Sequence, residues 1–244
     1  MNPDRERILG QLGLGPTWRL RTPPAIEHVP VAAPVAATVV EADRDRHGGL
    51  AIPESESPGD WDQLATTVRD CRACGLWAAR KQAVLGVGDR HADWLFVGEG
   101  PGAEEDQRGE PFVGQAGKLL DNMLAAIGLR RGEDVYIANA VKCRPLENRT
   151  PEPAEIDACR PYLEQQIGLI RPRLIVALGR PAAQALLKTE VKIAAARGRL
   201  HDYQGIPLVI TYHPAYLLRN LMDKAKAWED LCFMRRSMRQ LKGG

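Results

Sequence analysis

Apolar positions along this chain fall into two regimes that meet near residue 60. Beyond that point, short apolar runs alternate with stretches whose apolar residues recur every three or four positions. Residues 93–98, 135–141, 174–178 and 207–211 are near-continuous apolar runs closed by turn residues, and they read as four buried strands. Residues 61–69, 115–127, 153–170, 182–187 and 220–241 read as helices. In the second of these, Leu119, Leu120, Met123, Leu124 and Ile127 keep helical spacing and Gly128 closes the run. Pro151 and Pro153 mark the start of the third, and Arg171-Pro172 its end. Alternation of this kind predicts an α/β fold, a three-layer α/β/α sandwich around a central, mainly parallel four-stranded sheet. Ligand sites in such sheets lie beyond the carboxyl ends of the strands. Residues 98–102, 139–144 and His213 fall there.

Residues 1–57 keep neither period. Pro23, Pro24, Pro30 and Pro34 interrupt an Ala/Val-rich stretch, and a charged stretch rich in Gly, Ser and Pro follows. A flexible Pro/Ala-rich extension is predicted there, with residues 58–244 as one domain. Within the extension, residues 5–21 are amphipathic. They read either as a frayed terminus or as a peptide that docks on a protein partner through Ile8, Leu9, Leu12, Leu14 and Trp18.

Charge changes the picture little. The 33 Lys and Arg nearly balance the 31 Asp and Glu, for a formal +2, so any nucleic-acid surface must be local. No run of about 18 apolar residues offers a membrane span. The first residues contain no apolar core of a signal peptide. A cytoplasmic protein is expected, and a monomer is the default.

Cys71, Cys74, Cys143 and Cys159 form a C-x2-C pair, a long gap and a C-x15-C pair. Cysteines in a reducing compartment are better metal ligands than disulfide partners. Four thiolates suit an iron–sulfur cluster or zinc. The unequal pairs lean towards iron–sulfur, because zinc ribbons usually carry two tight knuckles. Cys232 has no partner in the pattern and reads as a core residue of the last helix.

Two further segments carry candidate chemistry. Gly98-Glu99-Gly100-Pro101-Gly102 would let a backbone approach a ligand closely. It is no dinucleotide fingerprint, since Ala103 stands where the third glycine belongs, and it lacks the Gly-Lys-Ser/Thr of a phosphate loop. The acidic run Glu104-Glu105-Asp106 would repel a phosphate. Phe112, in the loop that follows, could stack on a flat ring or plug the core. His213 follows the fourth strand and leads into Pro214-Ala215-Tyr216-Leu217-Leu218-Arg219. Those leucines fit an apolar wedge for a base stack with Arg219 on a phosphate; the other reading is a helix start packed into the core.

Taken together, C-x2-C, GEGPGAEED at 98–106, PFVGQAG at 111–117, NAVKCRP at 139–145, Cys159 and HPAYLLR at 213–219 resemble the uracil-DNA glycosylase superfamily. The likeness is to its family 4, the thermophile-type enzymes that carry a 4Fe–4S cluster, and it runs from Trp61 to the end. A related branch carries a Lys-Arg-Arg-Ile-His insert and bonds covalently to its DNA. Residues 144–151 contain no such His, which disfavours that branch. The resemblance implies a uracil-DNA glycosylase-like fold and a DNA repair hydrolase that flips deoxyuridine from DNA and cuts its glycosidic bond. It implies that Phe112 stacks on the uracil, that Asn139 reads the ring edge against cytosine, and that Gly98, Glu99 and Gly100 line the pocket. His213 would donate to uracil O2 as charge builds. The best-known relatives carry an aspartate in this turn that helps a water attack; here Glu99 is the acid available. Leu217 is the expected wedge, with Tyr216 second. Lys142, Arg144, Arg149, Arg180 and Arg219 are expected at phosphates. The four cysteines would hold the 4Fe–4S cluster in a structural role. A non-catalytic iron–sulfur nucleic-acid binding module, or an electron carrier or zinc adaptor, are the other readings.

Overall fold

A computed structural model describes residues 60–243. The extension at residues 1–57, with the docking segment proposed at 5–21, lies outside the described residues.

The chain begins with α1 (Trp61–Asp70) and reaches β1 (Val87–Gly88) and β2 (Trp94–Gly98). Next come α2 (Ala103–Arg108), α3 (Gln115–Ala126), β3 (Val135–Asn139) and α4 (Pro153–Ile170). They are followed by β4 (Leu174–Leu178), α5 (Arg180–Leu187), α6 (Ile193–Ala196), β5 (Leu200–Tyr203) and β6 (Ile206–Thr211). The short α7 (Pro214–Arg219) and the long α8 (Lys224–Leu241) close the domain.

The sheet runs β1-β3-β2-β4-β6-β5. Its four central strands, β3, β2, β4 and β6, are parallel, as their apolar runs predict. Every residue of β2, β3 and β4 is buried. Helices cover both faces. Leu120, Leu124, Leu231 and Met234 pack with Phe96 and Val176 on one side. Leu163, Ile167, Ala183 and Leu186 pack with Leu95 and Ile175 on the other.

The sheet has six strands, not the four expected. Both additions are antiparallel edges. β1 is two residues long, and Gly86 and Gly88 both hold positive φ. β5 reads Leu-His-Asp-Tyr and only Tyr203 is buried. Neither carries the apolar run by which a buried strand is recognised. β3 ends at Asn139, two residues early, although Ala140 and Val141 still donate to the carbonyls of Gly98 and Glu99. In the HPAYLLR segment His213 caps helix α7, which holds the remaining residues. The last helix starts at Lys224, four residues later than expected, after a 3₁₀ turn at Leu221–Asp223. Cys232 lies on that helix but is only half-buried.

Register sets up the site. Gly98 pairs with Asn139, and Leu178 with Thr211. The Gly179 N–H then donates to the Thr211 carbonyl across 2.8 Å. Gly98, Asn139, Gly179 and His213 therefore leave the sheet at one level of one edge.

Candidate active site

A cavity of about 850 Å³ opens at that edge, with Glu99, Gly100, Phe112, Asn139, Tyr212 and His213 among its walls. The three side chains expected to grip a ring thus share one space. The Phe112 and His213 rings lie 5.4 Å apart between centroids at 31°. Asn139 is 2% exposed, and its Oδ1 has no hydrogen-bond partner. An acceptor left unpaired in the interior costs about 1–3 kcal/mol, so this oxygen at the cavity wall is open to a donor from a ligand or a water.

Glycine makes the convergence possible at two places. An ideal Cβ on Gly98 would stand 2.5 Å from both Asn139 Oδ1 and Phe112 Cζ. One on Gly179 would stand 2.9 Å from the His213 Cβ.

Phe112 is held by residues whose part was hidden in the sequence. Its φ of +56° is left-handed, a strained conformation for a bulky residue. Arg131 holds it there: Nη1 donates to the Pro111 carbonyl and Nη2 to that of Phe112, each across 2.8 Å. Asp121 pairs with the same guanidinium at 2.9 Å. Two of the three acids after the glycine turn, Glu105 and Asp106, are spent on backbone as well. Glu105 accepts the N–H groups of Val113 and Gly114 at 2.9 and 3.1 Å through one oxygen and that of Gly102 at 3.1 Å through the other. Asp106 accepts those of Lys81 and Gln82 at 2.9 and 3.4 Å. Glu105 thus joins the glycine turn to the Phe112 loop, and Asp106 ties the same helix to residues 81–82.

His213 Nδ1 accepts the Ala215 N–H at 3.1 Å, which leaves the ring proton on Nε2. Burial, with the nearby Arg219 charge, pushes its pKa down to about 4, so the ring is neutral at pH 7. Glu99 is pushed the other way. Burial raises its carboxyl pKa, against a hydrogen bond from Thr150 and the charge of Arg180.

Arg180, Arg219, Arg149 and Tyr216 reach the cavity; Arg144 is not among its walls. Arg180 and Arg219 are exposed at the rim. Arg149 is already engaged, donating to both Glu155 oxygens at 2.8 and 2.6 Å, which fixes the loop above Glu99 and Thr150. Arg144 Nε donates to Asn148 Oδ1 at 2.8 Å.

Three expectations fail. Lys142 does not face DNA: it is 1% exposed, and its Nζ donates to the Asn139 carbonyl at 2.8 Å and to Gln166 Oε1 at 2.5 Å. Its role is to brace the strand end that carries Asn139. Leu217 is no wedge, because it is 1% exposed and packs into the core beneath α7. Tyr216 is pinned: its hydroxyl donates to Asp223 Oδ2 at 2.7 Å and its ring stacks on Tyr212 at 5.3 Å. The residue beside them, Leu218, is 41% exposed.

Away from the cavity, Cys71, Cys74, Cys143 and Cys159 line one small pocket. Cys71 caps α1, Cys74 follows it, Cys143 lies past β3 and Cys159 is on α4. N–H groups point at the sulfurs: Ala73 to Cys71 at 3.4 Å, Lys142 to Cys159 at 3.2 Å, and the Arg80 guanidinium to Cys143 at 2.8 Å. Among the described residues, no three His, Cys, Asp or Glu groups stand close enough to share a single metal ion.

A parallel sheet whose carboxyl edge holds an aromatic face, a buried carboxamide and a neutral imidazole in one cavity defines an α/β protein with its candidate site at the strand ends. Comparison with known proteins narrows this class. The model of the uracil DNA glycosylase superfamily matches residues 85–232. A type-4 uracil-DNA glycosylase of Pyrobaculum aerophilum is 45% identical over 181 residues, covering 70% of this chain and 91% of that protein. One from Thermotoga maritima is 50% identical over 165 residues, 67% of this chain and 85% of that protein. A type-5 uracil-DNA glycosylase of Thermus thermophilus is 34% identical over 159 residues, 52% of this chain and 72% of that protein. The chain belongs to the uracil DNA glycosylase superfamily and stands with its type-4 members.

Proposed function

We propose that this chain excises uracil from DNA by hydrolysing the N-glycosidic bond, leaving an abasic site. The observation that carries the reading is the meeting of Phe112, the unpaired Asn139 Oδ1 and the neutral His213 in one cavity. A flipped uracil stacked on Phe112 offers its N3–H to that orphaned oxygen, and the Asn139 amide N–H reaches O4. Cytosine has no N3 proton to give. As the C1′–N1 bond breaks, the bonding electrons pass to the base. The His213 Nε2–H meets the charge that gathers on O2. A water forms the new C1′–O bond and gives its proton to the Glu99 carboxylate.

On the DNA side, Leu218 takes the wedge role that Leu217 cannot fill. It projects from α7 next to Arg219, and Arg219 and Arg180 meet phosphates at the rim. Arg149 acts by holding its loop. A non-catalytic binding module has no use for a desolvated carboxylate beside a ring pocket, and Glu99 supplies one.

The test is release of free uracil from a labelled uracil-containing oligonucleotide, measured across pH for wild type and Glu99→Gln. Glu99 must be ionised to take the proton, and burial raises its pKa. The rate is therefore expected to climb as pH rises through that raised value and to fall on acidification. In Glu99→Gln that limb should vanish together with most of the rate, a loss of about 10²–10⁴-fold for a general base. No release by the wild type would overturn the function. Unchanged release by the variant would overturn the role of Glu99 alone.

The four thiols fit an iron–sulfur cluster of the 4Fe–4S type better than zinc. A zinc ion needs its sulfurs about 2.3 Å away on one centre, whereas a cluster spreads them over several irons. The Ala73, Lys142 and Arg80 N–H groups suit sulfurs that carry negative charge. A group held there would tie α1 and α4 to the exit of β3, and hydrolysis requires no electron from it. Purified protein is expected to be brown with broad visible absorbance. Cys74→Ala should lose the colour and melt at a lower temperature. A colourless wild type loaded with zinc would refute the cluster.

A further inference from the structure

Beside the active cavity lies a second groove of about 580 Å³, and the two share Arg180, Val191 and Lys192 in their walls. Arg180, Gln184, Glu190, Lys192, Arg199 and His201 are among its polar groups. Glu190 is the one acid among them. Arg180, Lys192 and Arg199 are exposed, and none of the ion pairs among the described residues uses them.

The segment that bears two of these cations is firmly built. Between them, Arg197 turns inward and pairs with Glu229 at 2.8 Å and with the fully buried Asp230 at 3.0 Å. Asp230 in turn accepts the Thr211 hydroxyl at 2.7 Å, at the end of β6. His201 bonds the Ala196 carbonyl through Nε2 at 2.8 Å, closing the turn from below. Three basic side chains thus sit within eight positions; one locks the segment to the sheet and two stay free at the groove.

We propose that this groove carries the DNA strand on one side of the flipped nucleotide, with Arg180, Lys192 and Arg199 in turn on successive stretches of phosphodiester. The inference rests on the uracil-excision reading and extends it beyond the pocket. A polyanion suits the site because Arg180 and Lys192 wall both the cavity and the groove while Arg199 walls the groove alone, and a strand whose base enters the cavity must leave along some wall. Gln184 and His201 give hydrogen-bonding groups along the way without selecting a base. The contact is therefore sequence-independent and salt-sensitive.

The test is binding of two fluorescent probes over a range of salt. One is an oligonucleotide of about 20 nucleotides with a central cleavage-resistant 2′-fluorodeoxyuridine, long enough to exceed one site. The other is the same modified nucleotide with a single neighbour on each side. For Lys192→Ala/Arg199→Ala on the long probe, the slope of log affinity against log salt should flatten by about 1.4, or about 0.7 per lost contact to a single strand. On the short probe, double variant and wild type should bind alike. Arg239→Ala, on the last turn of α8, is the comparison. That helix ends where Lys242 pairs with Asp93 and Asp134, at the opposite edge of the sheet, and its slope should match the wild type. A double variant with the wild-type slope on the long probe, while the wild type still releases uracil, would overturn the groove alone. A wild type that releases no uracil would overturn the reading beneath it.

Discussion

Replacing His213 by Ala is expected to slow single-turnover uracil release by about 10²–10³-fold, the cost of removing one donor aimed at a developing anion. Binding of uracil-containing DNA should change little, because the stacking and amide contacts remain. The effect is electrostatic in origin. His213 is locked as the Nε2–H tautomer by the Ala215 N–H, and burial keeps the ring neutral, with its pKa pushed to about 4. A neutral donor needs no proton from solvent, so the wild-type rate should show no step near pH 6–7 from this group. The sign for stability follows from the same shift. The unfolded ring takes a proton near its ordinary value of about 6.5 and the folded ring only near 4. Its contribution to stability is whole above the unfolded value and is lost as pH falls through that interval. His213→Ala should remove that part of the acid sensitivity. A variant as fast as the wild type would take His213 out of the chemistry.

Gly98→Ala is expected to cut uracil release by on the order of 10²-fold, since displacing a reacting group by about 1 Å costs that much. The added methyl meets the Asn139 carboxamide oxygen and the Phe112 ring tip at once, each at 2.5 Å. Neither neighbour can retreat freely. Asn139 is anchored on β3, whose carbonyl is braced by Lys142, and Phe112 is clamped through its own carbonyl by Arg131. The loss should appear in both binding and rate, because the methyl fills space that the uracil ring must occupy. Thermal unfolding of the variant separates a blocked pocket from a damaged fold: a melting temperature close to wild type with little release supports the blockage. Full activity would mean that Phe112 and Asn139 do not flank the base.

Much of this site was legible in the order of residues. Phe112, an aromatic spent in a loop near the glycine turn, and His213, just past the fourth strand, stand out by type and place; Asn139 is pointed to by the family resemblance, and the cavity brings all three together. The four thiols line one pocket as their spacing implies. What stayed hidden has a common cause. The acidic run at 104–106 reads as one that would repel a phosphate, yet Glu105 and Asp106 accept backbone N–H groups of residues 3 to 25 positions away. Arg131 gave no local signal at all, since its targets are the carbonyls of Pro111 and Phe112 some 19 to 20 positions earlier.

The chain itself determined the sandwich, its parallel centre and the edge on which chemistry falls. Apolar runs at one period and helical faces at another can bury themselves together in few ways. Only the packed molecule decided between neighbours. Leu217 and Leu218 differ by one position, but on a helix that is a turn of about 100°, enough to send one into the core and the other towards solvent. Lys142 reads as a surface cation until β3, α4 and the cysteine pocket close around it. Burial is a property of the whole assembly of elements, and so is the role of each side chain within it.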